Sequence, residues 1–243
     1  MTLASRVFIT RILSAGLVIL FLASCSTPLK PTGFLGKDDD RMSKNKELPF
    51  SRSWKNPDAR MSSYSIIAVK PMRVDEQRPL GFLGRRNVRN IGKTYQNDSA
   101  ALAALGARKF CEELGATPNR KVSVTDNPGK SKGLMVLETN LAQMEPGRPS
   151  MQALNLLVPF VSILNRPSLG LEGRFVDAST GETLFAFSDL ERPEISLFDV
   201  QKFTYYGVHQ RELEIWAEQL RRVVDGDANT LVRDPFVFQP VNW

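Results

Sequence analysis

The chain has 243 residues with 32 Lys and Arg, 26 Asp and Glu and one histidine, so its formal net charge is +6. This length is enough for one sizeable domain with a real hydrophobic core. The positive charge is mild, which argues against a nucleic-acid-binding protein and suits contact with anionic lipid head groups better.

The first 24 residues have the layout of a secretory signal peptide. Arg6 and Arg11 precede an apolar run from Ile12 to Leu22, and small residues follow up to Cys25. The apolar run is roughly half of the 20 or so residues that a membrane-crossing helix needs. We therefore expect residues 1–24 to be a cleaved lipoprotein signal peptide.

The residues around the expected cleavage point, Leu22-Ala23-Ser24-Cys25, resemble the lipobox of bacterial lipoproteins. In that motif the cysteine thiolate is the nucleophile that is alkylated by diacylglycerol. Several acyl chains, such as palmitate, hold a protein permanently, since each buried CH₂ adds about 0.8 kcal/mol of membrane affinity. The resemblance implies that Cys25 is the lipidation site. The alternative is an ordinary signal peptide that ends beside a cysteine.

The residue after the lipobox cysteine is Ser26 rather than Asp. By its similarity to the enterobacterial sorting pattern, Ser26 implies an outer-membrane protein whose domain faces the periplasm. Because Cys25 is committed to lipid, Cys111 is the only other thiol, and we expect no intramolecular disulfide.

Residues 25–60 are rich in Pro, Lys, Asp, Ser and Asn and show no periodicity, which predicts a lipidated N-terminus and flexible tether. Such a tether would span roughly 35 Å as a coil, or at most about 130 Å when extended. Asp38-Asp39-Asp40 lacks the alternating ligand spacing of a calcium loop, so we interpret it as solvated charge.

The remaining residues, 61–243, are predicted to form a single globular domain. Tyr64 to Val74 is rich in β-branched residues and predicts the first strand. Asp98 and Ser99 are suitable N-caps for a helix that reaches Leu114. Cys111 falls at the edge of that helix's apolar face, and we interpret it as partly buried packing rather than as a nucleophile.

Two connecting segments stand out by composition. A basic connector, which follows the first strand and runs through Asn97, contains Arg85, Arg86, Arg89 and Lys93, and it is either solvated or in contact with anionic lipid. Leu134 to Met144 predicts a second strand, and Met151 to Leu164 after it is almost wholly apolar.

The apolar tract is too short to cross a bilayer as a helix and is interrupted by Pro159. Two interpretations remain open: a buried connection or strand, and a surface that meets a partner or membrane. The candidate partner or ligand surface consists of Leu156, Leu157, Val158, Phe160 and Val161.

The C-terminal half predicts a hairpin and a helix. Leu169 to Val176 and Thr183 to Leu190 alternate as strands do, with Asp177 and Gly181 suited to the turn between them. From about Val208 an apolar stripe recurs at helical spacing, formed by Leu213, Trp216, Ala217, Leu220, Val223 and Val224. The single histidine, His209, caps or flanks this stripe.

The sequence patterns do not indicate a catalytic or cofactor-binding motif. Gly92-Lys93-Thr94 and Gly129-Lys130-Ser131 each lack the first glycine of a phosphate-binding loop. Glu214 and Glu218 share a helix side with arginines, which is typical of a solvated face. We expect no enzyme, no catalytic residue, no metal and no cofactor.

Several short motifs resemble the bacterial lipoprotein family catalogued as domain of unknown function 3313. These motifs are Gly33-Phe34-Leu35, Trp54, Tyr64 opening a strand that ends at Pro71, and Asp177 to Glu182 before an amphipathic helix. The chain departs from the family pattern at Asp38-Asp39-Asp40, where an Asp-Tyr step is expected. The resemblance brings no catalytic residues.

Together these patterns predict an α+β or α/β fold, with a mixed sheet of four to five strands packed by two main helices. The function that we expect is a non-catalytic binding or assembly module for an envelope protein partner or polymer, attached to the membrane through its N-terminal lipid. The alternative is a carrier of an apolar or lipid-like ligand. Neither the partner nor the oligomeric state follows from the sequence.

Overall fold

The computed structural model describes residues 29–44, 48–77, 92–145, 168–191 and 207–226. In chain order the helices and strands are α1 (Asp38–Arg41), β1 (Arg52–Lys55), a 3₁₀ helix (Met61–Ser63), β2 (Ile66–Val69), α2 (Gly92–Gly115), β3 (Lys121–Val124), β4 (Leu134–Glu145), β5 (Ser168–Asp177), β6 (Thr183–Glu191) and α3 (Gly207–Asp225).

The six strands form one mixed sheet in the order β1-β6-β5-β4-β2-β3. β2 runs parallel to both β3 and β4, and the other three pairings are antiparallel. This arrangement confirms the α+β class, the mixed sheet and the two main helices. The sheet has six strands rather than the expected four to five.

One face of the sheet carries the main hydrophobic core beneath α2 and α3. The predicted stripe of α3 is buried, with Trp216 completely inaccessible to solvent. On α2, Gly106 permits close packing, since a Cβ there would lie 3.1 Å from Cδ2 of Leu213 on α3. The small residues of α2 therefore let the two helices approach each other, as their sequence predicts.

The start of α2 differs from the prediction. The helix begins at Gly92, so Asp98 and Ser99 lie inside it rather than at its N-cap. The hydroxyl of Ser99 donates to the carbonyl of Gln96 at 2.9 Å, within the helix. A residue suited to capping thus satisfies its hydroxyl locally instead of ending the helix.

The β5–β6 hairpin confirms the predicted turn. The Oδ1 atom of Asp177 accepts hydrogen bonds from the backbone N–H groups of Ser179 (2.8 Å) and Thr180 (2.9 Å). Gly181 has a φ of 74°, the left-handed conformation that glycine adopts without strain.

The predicted tether is wrong, because residues 29–44 and 48–60 pack on the sheet as part of the domain. β1 pairs antiparallel with β6 at one edge of the sheet. The buried side chains of this region are Leu29, Phe34, Leu35, Met42, Leu48 and Phe50. They are sparse and aperiodic in sequence, but each fills a site that distant strands provide. The domain therefore extends N-terminal to residue 61 and includes Leu29.

Candidate functional site

The face of the sheet opposite the helices is covered by residues 29–42, which we call the strap. Thr32 is held by Glu172 of β5, whose carboxylate accepts from the Thr32 backbone N–H at 3.0 Å and from its hydroxyl. Asn140 of β4 donates to the Thr32 hydroxyl oxygen at 3.3 Å. The strap therefore begins with a polar clamp on two central strands.

Asp38 ties the far end of the strap to the hairpin strands. Its Oδ2 atom lies 3.3 Å from Nη1 of Arg174 on β5 and accepts the Thr183 hydroxyl of β6 at 2.8 Å. Asp38 is 5% exposed. The interpretation of this residue as solvated charge is wrong, since it forms a buried ion pair, whereas Asp40 is exposed.

Glu138 of β4 joins the same network. Its carboxylate accepts from Nε of Arg174 at 2.8 Å and from Nζ of Lys70 at 2.7 Å. Burial alone would raise the pKa of Glu138, but the hydrogen bonds from Lys70 and Arg174 outweigh burial and leave this pKa below its ordinary value.

Aromatic packing covers part of the network. The guanidinium of Arg174 lies 5.8 Å from the ring centroid of Phe34, and that of Arg73 lies 5.6 Å from it. Glu172 is almost fully buried beneath the strap, and its burial raises its pKa above the ordinary value despite the hydrogen bonds from Thr32 and Asn140. Most of the polar contacts of this cluster therefore hold the strap on the sheet.

This network was not predicted, although a signal for it exists in the sequence. In β5, Glu172 and Arg174 alternate with Leu171, Gly173 and Phe175. A period of two places the charged pair on one face and the apolar residues on the other. Charged residues on a central strand of a sheet indicate a covered polar face, but the pattern does not say what covers it.

A charged groove of about 340 Å³ lies between α2 and α3. Its lining residues are Lys109, Glu112, Glu113, Arg211, Glu214, Ile215 and Glu218. Lys109 pairs with Glu214 at 3.0 Å across the two helices. Glu218 pairs with Arg222 at 2.5 Å. The side chains of Glu214 and Glu218 are 54% and 41% exposed, which confirms the predicted solvated face.

The environments of Cys111 and His209 do not favour nucleophilic or acid–base chemistry. Cys111 is half-buried, and burial followed by the charge of Glu112 raises the pKa of its thiol. His209 is fully buried, and burial lowers its pKa to about 4, although a hydrogen bond to the backbone of Glu145 acts in the other direction. The imidazole is therefore neutral and out of contact with solvent.

The strap also defines the two ends of the sheet. We call the end at which the strap begins the proximal end and the opposite one the distal end. Leu29 lies against Gly170 near the start of β5: a Cβ on Gly170 would be 2.8 Å from Cδ1 of Leu29. Glu145 pairs with Ser168, and Glu191 pairs with Leu169, at this proximal end.

The remaining predicted site residues lie outside the described residues. These are Cys25 and the surface of Leu156, Leu157, Val158, Phe160 and Val161. Within the described ranges, no group of three or more His, Cys, Asp and Glu residues is arranged to hold a metal ion. Likewise, no helix among them is long and apolar enough to cross a membrane.

Comparison with known proteins identifies no family. No family model and no curated protein matches the chain. Among solved structures, the PelC dodecamer from Paraburkholderia phytofirmans shares 9% identity at a TM-score of 0.40, over 70% of this chain and 95% of that one.

Two further structures show the same level of similarity. A putative neuraminyllactose-binding hemagglutinin homolog from Helicobacter pylori shares 10% identity at a TM-score of 0.35, over 77% of this chain and 95% of that one. A Xanthomonas campestris protein of the family DUF330 shares 11% identity at a TM-score of 0.34, over 71% and 91% of the two chains. Similarity at this level establishes neither a family nor a function for this chain.

Proposed function

We propose that this chain is a lipoprotein, lipidated at Cys25, whose domain is a non-catalytic binding or assembly module for an envelope protein partner. It is anchored in the outer membrane and faces the periplasm. The resemblance of Leu22-Ala23-Ser24-Cys25 to a lipobox supports the anchor.

The observation that carries this proposal is the position of Leu29. Its side chain is 2% exposed, and it follows Cys25 by four residues. Four residues span at most about 14 Å of extended chain. A domain clamped to its own N-terminus at this point would be held beside the membrane, where a module that recruits an envelope partner has to work.

The commitment of the polar side chains supports a role without catalysis. Glu138, Glu172 and Asp38 bind the strap or its neighbours, and the imidazole of His209 is buried. We place the partner-binding surface in the apolar tract, at Leu156, Leu157, Val158, Phe160 and Val161. The residues that border this segment, Glu145 and Ser168, lie at the proximal end.

Labelling and fractionation test the anchor. Wild-type protein expressed in a Gram-negative host should incorporate labelled palmitate and fractionate with the outer membrane, whereas Cys25→Ala should be released as a periplasmic protein. Cys111→Ser is the matched control and should behave as wild type. Membrane association of Cys25→Ala equal to that of wild type would contradict the proposal.

Site-specific photo-crosslinking tests the partner surface. A crosslinker at Leu157 or Phe160 in living cells should give a discrete protein adduct, whereas one at the exposed Ser179 should not. Adducts at Ser179 alone, or at none of these positions, would contradict a partner surface in the tract. If native mass spectrometry of Cys25→Ala protein showed a bound apolar molecule instead, the carrier alternative would be favoured.

A further inference from the structure

We infer that the proximal end of the sheet faces the lipid bilayer, so that the domain stands end-on at the membrane with its β5–β6 turn pointing away. This inference rests on the proposed lipidation of Cys25. It adds an orientation to that function and assigns a membrane-facing surface to the fold.

The path of the strap is the first support. Leu29 packs on Gly170, Thr32 binds Glu172, and Asp38 binds Thr183, so the strap runs along β5 from the proximal end towards the distal end. The chain between Cys25 and Leu29 therefore approaches the domain from the proximal side. If the strap ran in the opposite direction, its first residue, and with it the lipid on Cys25, would lie near the distal end.

The length of the sheet, compared with the reach of the N-terminal link, decides which end can lie at the membrane. β4 has twelve residues, from Leu134 at the distal end to Glu145 at the proximal end. At about 3.3 Å per residue, it spans roughly 40 Å. The link between Cys25 and Leu29 reaches about 14 Å at most. A link this short cannot bring the distal end to the bilayer while the proximal end points away from it.

The helices begin at the same end. The hydroxyl of Tyr95, in the first turns of α2, donates to the carbonyl of Met144 at 3.0 Å and contacts Gln77 at 3.3 Å. At the start of α3, His209 is hydrogen-bonded to the backbone of Glu145. The proximal end thus gathers the N-terminal turns of both helices together with the strap.

Fluorescence energy transfer to labelled lipid tests the orientation. Lys30 next to Leu29 and Lys132 before β4 are both exposed, so Lys30→Cys and Lys132→Cys form a matched pair in a Cys111→Ser background. Lipidation blocks the thiol of Cys25, which leaves one labelling site in each protein. Each lipidated protein is labelled with a donor and reconstituted in phosphatidylethanolamine and phosphatidylglycerol vesicles that contain an acceptor lipid.

We expect transfer from position 30 to be several-fold more efficient than transfer from position 132. Equal transfer from the two positions would indicate a domain that lies flat or tumbles, and higher transfer from position 132 would indicate the reverse orientation. Either result overturns the inference and leaves the anchor intact. If the full-length protein does not bind vesicles better than its Cys25→Ala counterpart, the proposed function itself fails.

Discussion

His209 starts the buried stripe of α3 in a site that admits no water, and this gives the fold a predictable response to acid. Its pKa in the folded protein, about 4, is below the ordinary value of 6.5 because burial disfavours the imidazolium. Between these two values the unfolded chain binds a proton that the folded chain does not. Stability is therefore lost as the pH falls through this window.

From this residue alone, the free energy of unfolding should decrease by about 2 kcal/mol between about pH 7.5 and pH 5. Urea denaturation at the two pH values measures the decrease. In His209→Gln, which cannot take up the proton, this part of the loss should disappear. If both proteins lose the same stability, then the imidazole of His209 is not the group responsible.

Gly173 is a second residue at which the structure makes a sharp prediction. A Cβ at this position would lie 2.4 Å from Cζ of Phe187 on the neighbouring strand. Phe187 has little room to move, since the centroid of Phe50 is 4.7 Å away. We expect Gly173→Ala to reduce the free energy of unfolding by about 2 to 3 kcal/mol, by overpacking the core.

Gly106→Ala is the control for this prediction. Its Cβ would meet the end of the flexible Met72 side chain at 2.5 Å, which can rotate away, and Cδ2 of Leu213 at 3.1 Å, which has to move by only a few tenths of an ångström. Alanine is also favoured over glycine inside a helix by about 1 kcal/mol. The cost should therefore be below about 1 kcal/mol in urea or thermal denaturation. If Gly173→Ala and Gly106→Ala reduced the free energy of unfolding equally, the ring of Phe187 would have to move as easily as the end of the Met72 side chain.

At the scale of elements, the strap depends on Asp38. Replacing it by alanine removes one of the two carboxylates that contact Arg174 and the acceptor of the Thr183 hydroxyl. Glu138 still pairs with Arg174, so the cost is that of lost hydrogen bonds in a covered site, and we expect Asp38→Ala to destabilise the protein by about 1 to 2 kcal/mol. Chemical denaturation measures the difference.

Asp40→Ala provides the matched control two residues away. Asp40 is exposed, so its removal should change stability by no more than about 0.5 kcal/mol. If the two variants are equally stable, the contacts of Asp38 do not hold the strap.

The elements with strong local patterns could be predicted from the sequence. The alternation of β5 and β6 fixes their faces, and Asp177 and Gly181 supply the turn between them. The apolar stripe of α3 needs no knowledge of its neighbours. These elements carry their own signals over nine or more residues, and a periodic pattern is more informative over such a length than over four residues.

The short edge strands could not be predicted, because they carry no long periodic pattern of their own. β1 reads Arg-Ser-Trp-Lys, and β3 reads Lys-Val-Ser-Val, so neither shows a long alternating pattern. Each lies at an edge of the sheet: β1 pairs with the longer β6, and β3 pairs with β2, which is also four residues long. The strap could not be predicted either. Its polar composition is typical of a tether, and the burial of Leu29 and Phe34 depends on the sheet face against which they pack.

At the scale of the whole molecule, the domain boundary has a direct test. A fragment of residues 61–243 lacks β1, the strap and the side chain of Phe50, which packs against Phe185 and Phe187. It should unfold without a cooperative transition or aggregate, because β6 loses its partner and part of the core becomes exposed. Residues 26–243 should show one cooperative transition by circular dichroism. Equal cooperativity in both fragments would restore the boundary at residue 61.

The clamp between Thr32 and Glu172 joins residues that are 140 positions apart in the chain. Contacts at such separations form late in folding, since closing the intervening loop has to be compensated by structure that already exists. Asp38→Ala should therefore speed unfolding and leave the refolding rate nearly unchanged in stopped-flow experiments. A slower refolding rate would instead put the strap in the folding nucleus.

Under the proposed lipidation of Cys25, the same separation would set an order of events during export. The strap would emerge before β5 and β6, the strands to which it binds, because they follow it by more than 120 residues in the chain. Cys25 would thus be available to the modifying enzymes before the docking surface of the strap has been exported, and the strap would close only after β5 and β6 had followed it.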